Sequence, residues 1–309
     1  MAFDTETTLP SPTGARLHLN IMNARSAELA VVHVNHGLSE HSGRYARFAA
    51  SLADAGFHVY AHDHRGHGHT TAPDAEQGVF AAEDGPLKVS DDMRAVHQHI
   101  KKEHPSLPVI MFGHSMGGQL ALYHLTRFPS SVKAAAIWNA PIVPHLAARV
   151  AKLVLGWERF RLGSDVPSRL MPALTFASWS RATDENRTAS DWLSRDREEV
   201  DKYIMDPLSG WLPSVSMWRD IFDINLAIAD KDAFESVPRD LPLQIIGGEA
   251  DPSTSNAKVT RKLAARLQDE GFSNIESRFY PDTRHETLNE INRDEATGDF
   301  IAWAKQACR

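Results

Sequence analysis

The run Gly113-His114-Ser115-Met116-Gly117 places a serine two residues after one glycine and two before another. That spacing suits a nucleophile at the tip of a sharp strand-to-helix turn. The backbone there is strained and its neighbours come very close, so glycines at both flanking positions remove side chains that would clash. The hydroxyl then projects at a helix N-terminus, whose dipole favours developing negative charge. Alone, the pentapeptide reads equally as a Gly-rich turn with Ser115 capping a helix. Its setting points to catalysis: Val109-Ile110-Met111-Phe112 precedes it as a buried-strand pattern, and Gln119-Leu120-Ala121-Leu122 follows on a helical one.

A serine hydroxyl is a weak nucleophile until a base takes its proton, and histidine suits because its ordinary pKa is about 6.5. Behind an elbow of this kind the acid and then the histidine follow in chain order. Of the 16 histidines, His285 alone lies beyond His145, a short loop after the strand pattern of 275–280. The acid is expected after the strand pattern of 241–246, where Gly247-Gly248-Glu249-Ala250-Asp251-Pro252 offers two carboxylates. Asp251 is expected in the role because it stands at the loop's far side, just before Pro252; Glu249 is the alternative. Its task is to hold the imidazole tautomer and stabilise the imidazolium. A tetrahedral intermediate also needs two backbone N–H donors. These are expected from Met116, which follows the nucleophile, and from Leu38 in the loop His36-Gly37-Leu38-Ser39-Glu40-His41.

These residues need elements to hold them. Short apolar runs at 29–34, 57–60, 109–112 and 132–138 alternate with helical patterns at 42–55, 88–103 and 116–128. Repeated strand–helix alternation implies an α/β fold, a mostly parallel sheet covered on both faces. From 141 to 237 the rhythm breaks. This stretch carries Trp157, Trp179, Trp192, Trp211 and Trp218 on helix-like patterns, and it is expected to form a helical cap inserted into the catalytic domain. The alternation resumes with a strand at 241–246, a helix at 256–269, a strand at 275–280 and a closing helix at 290–307. The catalytic domain is therefore expected to comprise 1–140 and 238–309.

At 309 residues the chain can bury a large core without disulfides or metals. Its single cysteine, Cys308, allows no intrachain disulfide and is compatible with a reducing cytoplasm. A net charge of -7 with no long Lys/Arg run argues against nucleic acid as a partner. Residues 1–10 lack an apolar stretch and do not read as a signal peptide. A cytoplasmic protein, at most peripheral to a membrane, is the expectation. Oligomeric state is left open.

Taken together, HGLSEHSGRY at 36–45, the loop Ala61-His62-Asp63-His64-Arg65-Gly66-His67-Gly68, GHSMGG at 113–118 and the late Asp and His resemble the monoglyceride lipase and lysophospholipase (S33-type) branch of α/β-hydrolases. The match runs in order through nearly the whole catalytic domain. It departs in two places: His67-Gly68-His69-Thr70 stands where H-G-x-S is usual, and 141–237 shows no family signature. The resemblance implies cleavage of one acyl chain from a glycerol or glycerophosphate ester under a helical cap, without a cofactor. It implies Ser115, Asp251 and His285 as a triad, with Leu38 and Met116 as oxyanion donors. Alternatives are an ester, thioester or amide of a small non-lipid acyl substrate, or a binding protein without turnover. Epoxide hydrolase or dehalogenase chemistry would require an Asp in place of Ser115.

Other groupings read more plainly. His62, Asp63, His64, His67 and His69 lack H-E-x-x-H or paired-Cys spacing, so they are expected to brace a loop and hold no metal. Glu40 and His41 are expected to bond locally and fix the oxyanion loop, and the cap tryptophans to pack as core. The run Leu146-Ala147-Ala148-Arg149-Val150-Ala151-Lys152-Leu153-Val154-Leu155 is amphipathic with basic punctuation. It suits a lipid surface, although most such helices turn the apolar stripe inward.

Overall fold

The computed structural model describes residues 2–184 and 187–309; residue 1 of the leading segment and residues 185 and 186 of the expected insertion lie outside the described residues. The strands are β1 (Thr5–Pro10), β2 (Arg16–Met22), β3 (Ala30–Asn35), β4 (Phe57–His62), β5 (Val109–His114), β6 (Ala134–Trp138), β7 (Leu243–Gly248) and β8 (Ile275–Tyr280). Among the described residues they form one sheet in the order β1-β2-β4-β3-β5-β6-β7-β8. β2 runs antiparallel to both its neighbours; from β4 to β8 every pairing is parallel. β3 to β7 are buried along their whole length, which is why they read as near-continuous apolar runs rather than alternating ones.

Helices cover both faces. α1 (Ala46–Asp54) and α10 (Arg293–Ala307) pack on one; α2 (Gly85–Glu103), α3 (Met116–Arg127) and α9 (Lys258–Asp269) pack on the other. The two-residue period of a strand sends β5 to both cores. Val109 and Met111 join Met93, Val96 and Leu120 on one side, and Ile110 and Phe112 join Phe48, Trp138 and Phe300 on the other.

Between β6 and β7 the chain makes α4 (His145–Leu162), α5 (Met171–Leu174), α6 (Phe176–Arg181), α7 (Arg197–Met205) and α8 (Val215–Ala229), with no strand among the described residues of that stretch. Met217, Ile221 and Phe222 of α8 share a core with Leu120 of α3, so the insertion is packed onto the sheet domain. α4 does not follow the inward-packing expectation. It buries Ala148, Leu155 and Glu158, while Leu146 (74%), Leu153 (76%) and Phe160 (89%) face outward.

Burial also explains the histidine cluster. His33 of β3 bonds His97 of α2 through Nδ1 and His62 of β4 through Nε2, each at 2.9 Å. Burial, aided by neighbouring imidazoles, pushes His62 down to about 3; burial and Lys101 do the same for His97. Asp63 is consumed by bracing: Oδ1 accepts from the Ser42 amide (2.8 Å) and hydroxyl (2.6 Å), Oδ2 from the His69 amide (2.8 Å). Among the described residues no group of three or more His, Cys, Asp or Glu is arranged to hold a metal ion.

Candidate active site

The sheet register decides what meets. Asn35, the last residue of β3, pairs with Gly113 of β5, and His114 pairs with Trp138 of β6. Between β3 and β5 the strand order reverses, and the crevice at such a point, beyond the carboxyl ends, is where ligands bind in open α/β sheets. Ser115 stands there, at the exit of β5, beside the loop leaving β3.

Ser115 has φ 55° and ψ -121°, a left-handed conformation that strains a residue with a Cβ. The turn is too tight for side chains on either flank. A Cβ on Gly113 would collide with the Gly117 carbonyl, and one on Gly117 with the Asn35 carbonyl of β3. Both glycines of the pentapeptide thus have steric reasons.

Asp251 leaves β7 and His285 follows β8. Strands lie roughly 4.8 Å apart, so a carboxylate two strands from Ser115 needs an intermediate group, and His285 fills that gap. Its Nε2 lies 2.9 Å from Ser115 Oγ and its Nδ1 3.0 Å from Asp251 Oδ2. A carboxylate only accepts, so Nδ1 carries the proton and Nε2 is left to accept from the serine hydroxyl. Burial alone would raise the Asp251 carboxyl. The His285 imidazole outweighs it, with bonds from His285, Asn139 and Ser253, and holds Asp251 below the usual carboxylate range. Glu249, the alternative acid, turns away into a half-exposed ion pair with Arg261.

Three supporting residues escaped sequence reasoning. Asn139 donates to Asp251 Oδ2 at 3.0 Å and Thr254 donates to the same oxygen at 2.9 Å. Ser253 donates to Asp251 Oδ1 at 2.7 Å and lies 2.8 Å from His285 Nδ1. The clustering of hydroxyls in Asp251-Pro252-Ser253-Thr254 was the available signal.

Glu40 fixes the loop expected to supply the Leu38 amide. Its Oε1 accepts from the Gly37 amide (2.5 Å) and the Tyr45 hydroxyl (2.9 Å), and its Oε2 from Arg44 (2.7 Å). Arg44 in turn grips Glu286, the neighbour of His285, through two bonds of 2.5 and 2.7 Å. His114 Nδ1 lies 3.5 Å from Glu40 and its Nε2 donates to the His285 carbonyl at 2.9 Å. Burial would lower His114; the Glu40 carboxylate more than reverses this and raises it. One buried network therefore ties together the loop that carries Leu38, the turn at Ser115 and the loop that carries His285. His41 departs from the local role expected of it, since it bonds Asp206 in the insertion at 2.8 Å.

Leu38 and Met116 both line the cleft over Ser115. So do Trp179, Trp192 and Trp218, of which Trp192 and Trp218 are also buried, in keeping with the core packing expected of the insertion tryptophans. Trp192 also packs on the His285 ring at 5.0 Å. The cleft wall is mostly apolar, with Glu40, Gln119 and Tyr203 among its few polar groups.

The sequence profile of the family described as serine aminopeptidase, S33, matches residues 26–292. The chain is similar to a monoacylglycerol lipase of Mycolicibacterium smegmatis, 27% identical over 292 residues that cover 94% of this chain and 93% of the relative. It is 28% identical to a monoglyceride lipase of Homo sapiens over 85% of this chain and 81% of that one. A solved thermostable carboxyl esterase from Bacillus coagulans shares the fold over the whole of both chains, with a TM-score of 0.89 at 24% identity. A monoglyceride lipase from Saccharomyces cerevisiae does so over 99% of each, with a TM-score of 0.73 at 18% identity.

Proposed function

Since the chain belongs to the serine aminopeptidase S33 family of α/β-hydrolases, in its monoglyceride lipase-like branch, and is a serine ester hydrolase, we propose that it cleaves the single acyl chain of a monoacylglycerol or lysophospholipid through an acyl-enzyme on Ser115. The 2.9 Å contact between His285 Nε2 and Ser115 Oγ carries this reading, with Asp251 behind the imidazole. His285 takes the hydroxyl proton as the oxygen attacks the ester carbonyl, and Asp251 steadies the imidazolium. The oxyanion rests against the amides of Leu38 and Met116. The alcohol leaves with the proton from His285; water then repeats the cycle in reverse and frees the acid.

The apolar cleft wall of Phe176, Trp179, Trp192 and Trp218 favours an acyl chain over a small polar substrate. Residues 141–237 act in this reading as the cap over a catalytic domain of 1–140 and 238–309. The outward apolar stripe of α4 lies beside Arg149 and Lys152 and suits peripheral contact with the lipid surface from which substrate is drawn. Among the described residues no helix is long and apolar enough to cross a membrane.

An ester panel graded in chain length, with monoacylglycerols and lysophospholipids included, tests the proposal against Ser115→Ala. Turnover rising toward long-chain monoacyl lipids and abolished in the variant is the expected result. Turnover confined to acetyl esters removes the lipid assignment.

A further inference from the structure

A second concave site lies away from the cleft, between α2 and the C-terminal end of α3. It is an open depression of about 400 Å³. Arg94, His97 and Lys101 line it from α2, and Arg127, Phe128 and Ser131 from the end of α3 and the turn beyond. No Asp or Glu lines it. In a chain whose net charge is -7, three cations facing one hollow without a carboxylate is a local inversion of the overall field.

Two of the three cations are unspent. Arg94 and Lys101 make no ion pair among the described residues. Arg127 is engaged at both terminal nitrogens, one pairing with Asp91 at 2.9 Å and the other donating to the Leu87 carbonyl at 2.9 Å. The guanidinium groups of Arg94 and Arg127 pack on the same Phe128 ring, at 4.4 and 4.9 Å from its centroid, so two like charges converge on one aromatic group. The lining also holds two inaccessible polar atoms without a hydrogen-bond partner, His97 Nδ1 and Ser131 Oγ. Lys101 adds to the burial that keeps His97 neutral. Positive charge and one free guanidinium fork meet at a single place, beside buried polar atoms that lack partners.

We propose that this hollow is a binding site for a phosphate group, free or as a phosphomonoester. A dianion matches the two unpaired cations, Arg94 and Lys101, whereas a carboxylate would leave charge uncompensated. The unengaged fork of Arg94 suits phosphate oxygens. The site is independent of the hydrolase reading, since none of its residues lines the cleft over Ser115.

Isothermal titration of the full chain at fixed ionic strength tests this, with inorganic phosphate, glycerol 3-phosphate and acetate as separate probes. The comparison protein is Arg94→Gln/Lys101→Gln, in which both changes fall on exposed side chains and folding is checked by circular dichroism. One saturable site per chain is expected for at least one phosphate probe; which of the two binds distinguishes a free from an esterified ligand. Acetate should bind about tenfold more weakly, and the double variant should weaken phosphate about tenfold. Absence of saturable phosphate binding, equal affinity for acetate, or unchanged affinity in the folded double variant overturns the proposal.

Discussion

Ser253 Oγ stands 2.8 Å from His285 Nδ1 and 2.7 Å from Asp251 Oδ1, closing a small ring of hydrogen bonds behind the imidazole. The imidazole N–H is thus shared between a carboxylate and a hydroxyl that itself donates to that carboxylate. Losing a hydrogen bond worth about 1 kcal/mol lowers kcat about fivefold, so Ser253→Ala is expected to fall by that factor with little change in KM. Ser253→Thr, which keeps the hydroxyl, should recover most of it. Steady-state kinetics on a soluble ester, repeated across pH, separates this positioning role from a general loss of stability.

Glu40 holds the Gly37 amide next to the proposed oxyanion donor and is itself held by Arg44 and Tyr45. Glu40→Gln removes the charge that raises His114 and frees the loop. Misplacing one oxyanion donor costs about 10²–10³ in rate, so a drop of about a hundredfold in kcat is expected, larger than for Ser253→Ala. An unchanged kcat in folded Glu40→Gln would detach this network from catalysis.

Two glycines offer opposite outcomes. A Cβ at Gly117 meets the Asn35 and His36 carbonyls, backbone atoms that cannot step aside, whereas Gly298 on α10 faces open space. Gly117→Ala should cost several kcal/mol or fail to fold. Gly298→Ala should gain about 0.5–1 kcal/mol from helix propensity. Thermal unfolding midpoints read both.

Acid should unfold the protein steeply. His62, His67 and His97 are buried with folded pKa values of about 3, against about 6.5 when unfolded. The unfolded chain therefore binds more protons, and stability present above pH 6.5 is lost as pH falls toward 3. Each histidine contributes a slope of about 1.4 kcal/mol per pH unit in that window, so the three together remove about 4 kcal/mol per pH unit from a typical margin of about 5–15 kcal/mol. His114 is raised, so its contribution is lost only as pH rises through its folded value. Urea unfolding between pH 5 and 7 measures the slope; in His62→Gln it should flatten by one proton.

Leu153 and Phe160 project from α4 with most of their surface in solvent. If that stripe meets lipid, Leu153→Asp/Phe160→Asp should lower vesicle co-sedimentation and hydrolysis of vesicle-borne substrate. The rate on a dissolved short ester should stay as it was. Loss of both activities together would point to cap folding instead.

Much of the site could be read from the chain because chain order constrains it. An elbow after a buried strand, one late histidine and a carboxylate before Pro252 leave few choices, and Ser115, His285 and Asp251 do converge. β1 and β2 were not legible in the same way. Thr5–Pro10 is a mostly exposed edge strand without an apolar pattern, and the alternation at Leu17 and Leu19 does not reveal an antiparallel partner. Periodicity finds a helix's apolar face but not what covers it. The tryptophans of the insertion read as core, and Trp192 and Trp218 are buried, but the pattern does not show that with Trp179 they also line a cleft; α4 reads as inward although its stripe faces out. Contacts such as Arg44 with Glu286 or His41 with Asp206 join residues far apart in sequence and carry no local signal.

The nucleophilic role of Ser115 is tested most directly by intact-mass analysis after treatment with a fluorophosphonate, followed by peptide mapping. One adduct per chain on Ser115, with none in folded Ser115→Ala, is the predicted result. An adduct on another residue, or a folded Ser115→Ala protein that still hydrolyses ester, would contradict it.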